Sequence, residues 1–167
     1  MTRAWESLLV NRPALEAFYS PVPPLESVAV RSVHLDRRGP TLILRFDLPE
    51  FPHTPLPEWT AAGCDTFQCQ LRFLAVADVV MRGWSPPVTA DIVIEEQEDR
   101  RIRVGLRGAG AELAFTSSDS LTVGHMSAYR RSGDGTDAGK QHFVGRTDRF
   151  RWSTVPDVWE KTFYERV

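Results

Sequence analysis

The feature that most narrows the fold is a two-residue alternation of apolar and polar side chains that recurs along most of the chain. It is clearest where Leu42, Leu44, Phe46 and Leu48 alternate with Thr41, Ile43, Arg45 and Asp47. Successive side chains of an extended strand point to opposite faces, so this spacing buries one face and leaves the other wet. Ahead of it, Asp36-Arg37-Arg38-Gly39-Pro40 reads as a turn, because Gly39 can take positive φ and Pro40 fixes φ while lacking a ladder donor. Val28, Val30, Val33 and Leu35 alternate too, with a slip of phase at Arg31-Ser32. A bulge at that point places all four on one side.

The same alternation returns downstream. Pro49, Pro52, Pro55 and Pro57 hold their neighbours extended, so neither helix nor central strand is expected behind the first clear strand. Trp59 is expected to end this loop and pin it by burying its ring. Phe67, Cys69, Leu71 and Phe73 alternate with Gln68, Gln70 and Arg72, and Val76 to Trp84 continues as a less cleanly patterned strand. Ser85-Pro86-Pro87 turns the chain into Ala90, Ile92 and Ile94. Glu95 to Arg100 is the tip of a hairpin whose return strand buries Ile102, Val104 and Leu106. Gly108-Ala109-Gly110 leads to Leu113 and Phe115, and Ser117 to Ser120 leads to Leu121, Val123, Met126 and Tyr129.

With no helical stripe between these runs, parallel crossovers have no room and consecutive antiparallel pairing is expected. The fold class is α+β, predominantly antiparallel β: a curled meander sheet or a two-layer β sandwich. Trp5, Leu8, Leu9, Leu15, Phe18 and Tyr19 recur at three- and four-residue intervals, the stripe of one or two short N-terminal helices that cover an apolar face. Asn11-Arg12-Pro13 separates them, with Asn11 as a cap and Pro13 in a first turn.

From Arg130 the character changes. Residues 132–140 offer nothing to bury and read as a flexible loop. Thr154-Val155-Pro156-Asp157 is a capping box that opens a C-terminal helix, with Trp159 and Phe163 on a stripe that either docks against the domain or serves as a partner-binding extension. The division is a β domain with N-terminal helices over 1–129 and a C-terminal extension over 130–167.

A length of 167 residues fits one domain, and a net charge of −2 favours neither a general nucleic-acid binder nor an acidic tail. Glu6, Asn11, Arg12 and Pro13 break every apolar run near the start, so it reads as neither signal peptide nor membrane span. Cys64 and Cys69 lack a CxxC spacing and read as reduced thiols, Cys69 facing the core. These features place the chain in the cytoplasm, with no nucleic-acid or membrane partner.

Gly133 to Lys140 misses the phosphate-loop spacing, and Gln141 stands where a magnesium-binding hydroxyl belongs. Gly105, Gly108 and Gly110 lead into a strand and not a helix N-terminus, so they are turn glycines. His34, His53, His125 and His142 are scattered, and no serine sits in a GxSxG elbow. The expectation is no enzyme, no catalytic residue, no cofactor and no metal.

Charge supplies the only candidate binding residues. Glu95, Glu96, Glu98 and Asp99 cluster at the hairpin tip, either a solvated turn or a docking patch for a basic partner. Arg45, Arg72, Arg101, Arg103 and Arg107 occupy outward positions and are expected to line one polar sheet face. From this set, Arg45, Arg72 and Arg103 join the acidic tip as candidate partner contacts.

Trp5 with Leu8-Leu9, Phe18-Tyr19, Pro24-Leu25, the run His34 to Leu42, Leu44 to Leu48, Phe51-Pro52 with Pro55 and Trp59, and Phe67 to Asp78 together resemble the bacterial immunity protein 50 family. The likeness spans about Trp5 to Tyr129, and the Gly-Pro turn followed by the proline loop and tryptophan is its most specific part. It implies a cytoplasmic antidote that occludes the working site of a cognate polymorphic toxin, with no catalytic motif to transfer. Two other readings stay open. A small-ligand binding β module requires a cavity lined by the inward phenylalanines, and an enzyme of another type requires titratable groups converging in a cleft. The oligomeric state is left open.

Overall fold

Each alternating run forms a strand. The computed structural model describes residues 4–85, 87–145, 148, 149, 153 and 154. Its strands are β1 (Val28–Asp36), β2 (Thr41–Asp47), β3 (Thr66–Phe73), β4 (Ala77–Arg82), β5 (Val88–Glu96), β6 (Arg101–Gly108), β7 (Ala111–Ser118), β8 (Thr122–Tyr129) and β9 (His142–Phe143). They join one open sheet in the order β4-β7-β6-β5-β1-β2-β3-β8-β9, and every pair of neighbours is antiparallel.

The β1–β2 register shifts between Val30 and Ser32, which is the bulge that the phase slip required. It buries Val28 and Val30 completely, whereas Leu35 is 52% exposed beyond the covered part of the sheet. The turn between β1 and β2 has Gly39 at φ +65, and the Arg38 N–H donates to the Asp36 carboxylate at 2.9 Å.

Pairing departs from a pure meander. β1–β2–β3 and β5–β6–β7 run consecutively, but β4 pairs with β7, β5 with β1 and β8 with β3. The cause is curvature. The Phe73 and Phe115 rings meet edge to face at 4.9 Å, although β2, β1, β5 and β6 lie between their strands in the sheet. The sheet therefore folds its apolar face onto itself, hinged where β1 and β5 share three residue pairs: Val28 with Ala90, Ala29 with Thr89 and Val30 with Val88. After β3 the chain crosses at once to the other half, where the Ser118 N–H donates to the Leu74 carbonyl at 2.9 Å. A single sheet whose own inner faces meet thus replaces the separate layers of the sandwich alternative.

Leu42, Leu44, Phe46, Phe67, Leu71, Phe73, Ile102 and Phe115 are fully buried in the resulting core. A 3-10 helix (Trp5–Leu8) and α1 (Arg12–Glu16) add Trp5, Leu8 and Leu15 to it. Asn11 is the N-cap residue of α1, but its side chain makes no cap hydrogen bond. Its side-chain amide instead donates to the Val123 carbonyl at 2.6 Å and accepts from the Val123 N–H at 3.1 Å, which ties the helix to β8. The proline loop contains a short helix where none was expected, α2 (Pro57–Ala61). Pro57 stands in its first turn, where a missing N–H costs nothing. Trp59 is fully buried on α2, with its ring 5.0 Å from Phe18 and 5.9 Å from Phe67. The expected C-terminal helix, with Trp159 and Phe163, lies outside the described residues.

At the β5–β6 tip, Asp99 and Arg100 have φ of +55 and +57, and the Arg101 N–H donates to the Glu98 carbonyl at 3.2 Å. Two left-handed residues in a row match the right-handed strand twist, a geometry that favours glycine over arginine. Replacing Arg100→Gly removes the Cβ strain and is expected to raise unfolding free energy by about 0.5–1 kcal/mol. Urea denaturation of the two proteins measures the difference, and equal midpoints would refute the strain.

Candidate functional site

Glu95 and Glu96 end β5 and Glu98 and Asp99 lie in the tight turn, all exposed at one end of the molecule. The arginines are not brought together. Because the inner faces of the two halves meet, the outer faces look away from each other, so Arg45 on β2 and Arg72 on β3 are separated from Arg101, Arg103 and Arg107 on β6. On β6, acidic neighbours alternate with them: Arg103 pairs across from Glu95, and the Arg107 guanidinium lies 3.8 Å from the Glu112 carboxylate. Arg101 donates to the Ala75 carbonyl and to the Thr116 hydroxyl, each at 2.9 Å. The expected single arginine-lined face is therefore two faces, one of them checkered with carboxylates.

Arg45 belongs to a polar cluster that the local patterning did not reveal. Its centre is Asp47, expected to face water but buried. One carboxylate oxygen accepts from Arg31 Nε at 3.0 Å and Nη2 at 2.6 Å, from the Tyr129 hydroxyl at 2.6 Å and from Arg131 Nη2 at 2.9 Å. The other accepts from the Gln68 amide at 2.9 Å. Arg31 is the extra residue of the β1 bulge, and a bulge re-aims the side chain it carries. Arg31 also donates to the Gly135 carbonyl at 2.7 Å, so segment 130–141 lies over this part of the sheet. Asp137 extends the cluster, accepting from Gln68 at 3.0 Å and pairing with Arg45.

The electrostatics follow from burial and charge. Burial alone opposes the Arg31 charge, but the Asp47 carboxylate outweighs it and raises the guanidinium's pKa. Burial pushes the Asp137 carboxyl up, whereas Arg45, Gln68 and Arg31 pull it further down, leaving it below the ordinary carboxylate value. Burial, then the neighbouring Asp47, raises the Tyr129 phenol so that it stays a hydrogen-bond donor. Three guanidiniums (Arg31, Arg45 and Arg131) surround two carboxylates, Asp47 and Asp137.

Other chemistry-bearing groups are dispersed. His125 Nδ1 lies 2.8 Å from Asp148, whose side chain is fully buried. Cys69 is buried and Cys64 half-buried. Burial and then Asp65 raise the Cys64 pKa, the opposite of what a nucleophile needs. Among the described residues no three His, Cys, Asp or Glu side chains converge to hold a metal. A groove of about 470 Å3 runs between the N-terminal segment and β5, lined by Trp5, Val22, Leu25, Ile92 and Ile94. It is not the phenylalanine-lined cavity that a ligand-binding module requires, because Phe46, Phe67, Phe73 and Phe115 are packed in the core.

A family model described as Immunity protein 50 matches residues 11–129. The chain belongs to the Immunity protein 50 family. The matched part runs from Asn11, at the start of α1, to Tyr129, the last residue of β8. No curated protein and no solved structure matches the chain. Among the described residues no helix is long and apolar enough to cross a membrane. The polar cluster bridges the family-matched part, through Arg31, Asp47, Gln68 and Tyr129, and the segment beyond it, through Arg131 and Asp137.

Two outcomes test the cluster. Asp47→Ala leaves the Arg31 guanidinium, only 4% exposed, without its carboxylate, and is expected to cost about 3–5 kcal/mol in chemical denaturation. Asp137→Asn acts more weakly, about 1–2 kcal/mol at neutral pH. Because the folded Asp137 pKa lies below the unfolded value, its stabilisation is complete above about pH 5 and is lost as pH falls through the folded pKa. The gap between parent and Asp137→Asn should therefore close in acid, and a gap independent of pH would refute the assignment.

Proposed function

We propose that the protein binds a cognate bacterial polymorphic toxin and neutralises it by covering the toxin's working site, in the cytoplasm of the cell that makes it. The observation that carries this reading is the Immunity protein 50 match over residues 11–129, which takes in eight of the nine described strands, β1 to β8. Occlusion asks for a rigid surface complementary in shape and charge. The acidic tip is the contact this reading favours: Glu95, Glu96, Glu98 and Asp99 are exposed together on a tight hairpin, suited to a basic partner surface. Arg72 and Arg103, exposed on opposite outer faces, are the contacts of second choice. Arg45, half-buried and paired with Asp137, acts through the cluster. Residues 130–167 are this protein's addition to the family-matched domain.

Co-expression with its cognate toxin domain should restore growth, and continued killing despite soluble antidote would overturn the reading. Charge reversal at Glu95→Lys, Glu96→Lys and Glu98→Lys is expected to slow association at low salt by about tenfold, with a smaller change in dissociation. Unchanged association kinetics for the triple variant would move the contact elsewhere while leaving the antidote reading in place.

A further inference from the structure

The groove beside β5 opens where that strand loses a neighbour. β1 stays paired with β5 only from Val28 to Val30. The chain ahead of β1 is then held to β5 by the Ser27 N–H, which donates to the Asp91 carboxylate at 2.8 Å, and by the Leu25 carbonyl, which accepts from the Ile92 N–H at 2.9 Å. Trp5 is fastened to the same stretch, its Nε1–H donating to the Pro23 carbonyl at 2.9 Å. Trp5, Leu25 and Ile92 are buried, so the floor of the groove is apolar and tied down by hydrogen bonds. The charged residues that line it are all acidic: Glu6, Glu26 and Asp91. Asp91 has Arg107 across from it on β6. Neither the Glu6 nor the Glu26 side chain has a hydrogen bond or ion pair among the described residues.

We propose that this groove receives a basic side chain, arginine or lysine, from an otherwise apolar segment of the toxin, an inference that rests on the antidote reading and extends the contact beyond the hairpin tip. The argument is charge complementarity over an apolar floor. Three carboxylates repel an anion, and a wholly apolar segment would strip water from Glu6 and Glu26 without supplying a partner. A long basic side chain meets both demands: its methylene stem covers Trp5, Leu25 and Ile92 while its head group stays at the rim among the carboxylates. Position agrees with charge. Ile94 lines the groove, and Glu95 and Glu96 of the acidic tip follow it directly on β5. Asp91 and Glu95 are separated by about 13 Å along the strand, so a single basic face on the toxin reaches both places. The two places act differently. The exposed tip attracts the partner from solution, whereas the groove holds a desolvated stem and its charge pair, which governs release.

The test is the binding kinetics of the full chain with its cognate toxin domain. Glu6→Lys combined with Glu26→Lys is expected to raise the dissociation rate at least about tenfold with little change in association, the reverse of the tip variant. The melting temperature should stay at the parent value, because neither carboxylate has a partner to lose. Glu6→Gln combined with Glu26→Gln keeps the shape and removes the charge; it should reproduce part of the loss and flatten its salt dependence. Benzoylphenylalanine in place of Val93, which is 49% exposed and lines the groove, should cross-link to a toxin peptide that contains arginine or lysine. A parent that neither binds its toxin nor protects against it overturns the antidote reading, and this inference with it. A parent that protects, while both double variants dissociate at its rate, overturns the groove alone. So does a cross-linked peptide without a basic residue. A two-copy mass in light scattering that the double lysine variant returns to one gives the groove to a second copy and also overturns the proposal.

Discussion

A nine-stranded sheet with one apolar face must cover that face, and the helices among the described residues are too short to do it. α1 and α2 have five residues each and the 3-10 helix has four, enough to cap the open end around Trp5, Leu15 and Trp59 but not to span the sheet. Among the described residues, the sheet itself removes the remaining apolar surface from water by curling until Phe73 and Phe115 touch. Much else depends on that contact. The hinge narrows to three residue pairs between β1 and β5, and β4 crosses to the far half. The outer faces of the two halves point in opposite directions, and the β4 edge is left at a rim that the core does not reach.

On the outside of β1, β2, β3 and β8 the polar cluster does what apolar packing does on the inside. Asp47 gathers donors from Arg31, Gln68, Tyr129 and Arg131 around one buried carboxylate. A buried ion pair contributes little net stability against a hydrophobic equivalent, but its loss on one side is costly. Its effect is therefore to select one arrangement of segment 130–141 over the others, since any shift leaves a charge unpaired. The cluster sits where the family-matched domain meets the segment beyond it, so it joins the two by geometry that tolerates few substitutes.

Surface charge is divided in a way that suits recognition. β6 alternates its arginines with Glu95, Asp91 and Glu112 on neighbouring strands, which cancels the field at short range. The hairpin tip adds Glu96, Glu98 and Asp99 next to Glu95, all of them exposed, so negative charge is concentrated at that end. The strained turn of Asp99 and Arg100 fixes how the tip projects.

The sequence by itself determined the strands, the bulge at Arg31, the turn at Gly39, the burial of Trp59 and the acidic hairpin, because each is set by neighbours within a few residues through alternation, φ preference or ring burial. The family likeness was legible for the same reason, since it rests on core and turn residues. Which strand pairs with which, and which outward residues are covered, only the tertiary structure decided. Asp47 and Arg31 are 16 residues apart, Asp47 and Tyr129 82, and Arg45 and Asp137 92, so no local period links them. Asn11 chose the backbone of β8 over its own helix for the same reason: a local preference of about 1 kcal/mol yields when a distant strand offers both a donor and an acceptor.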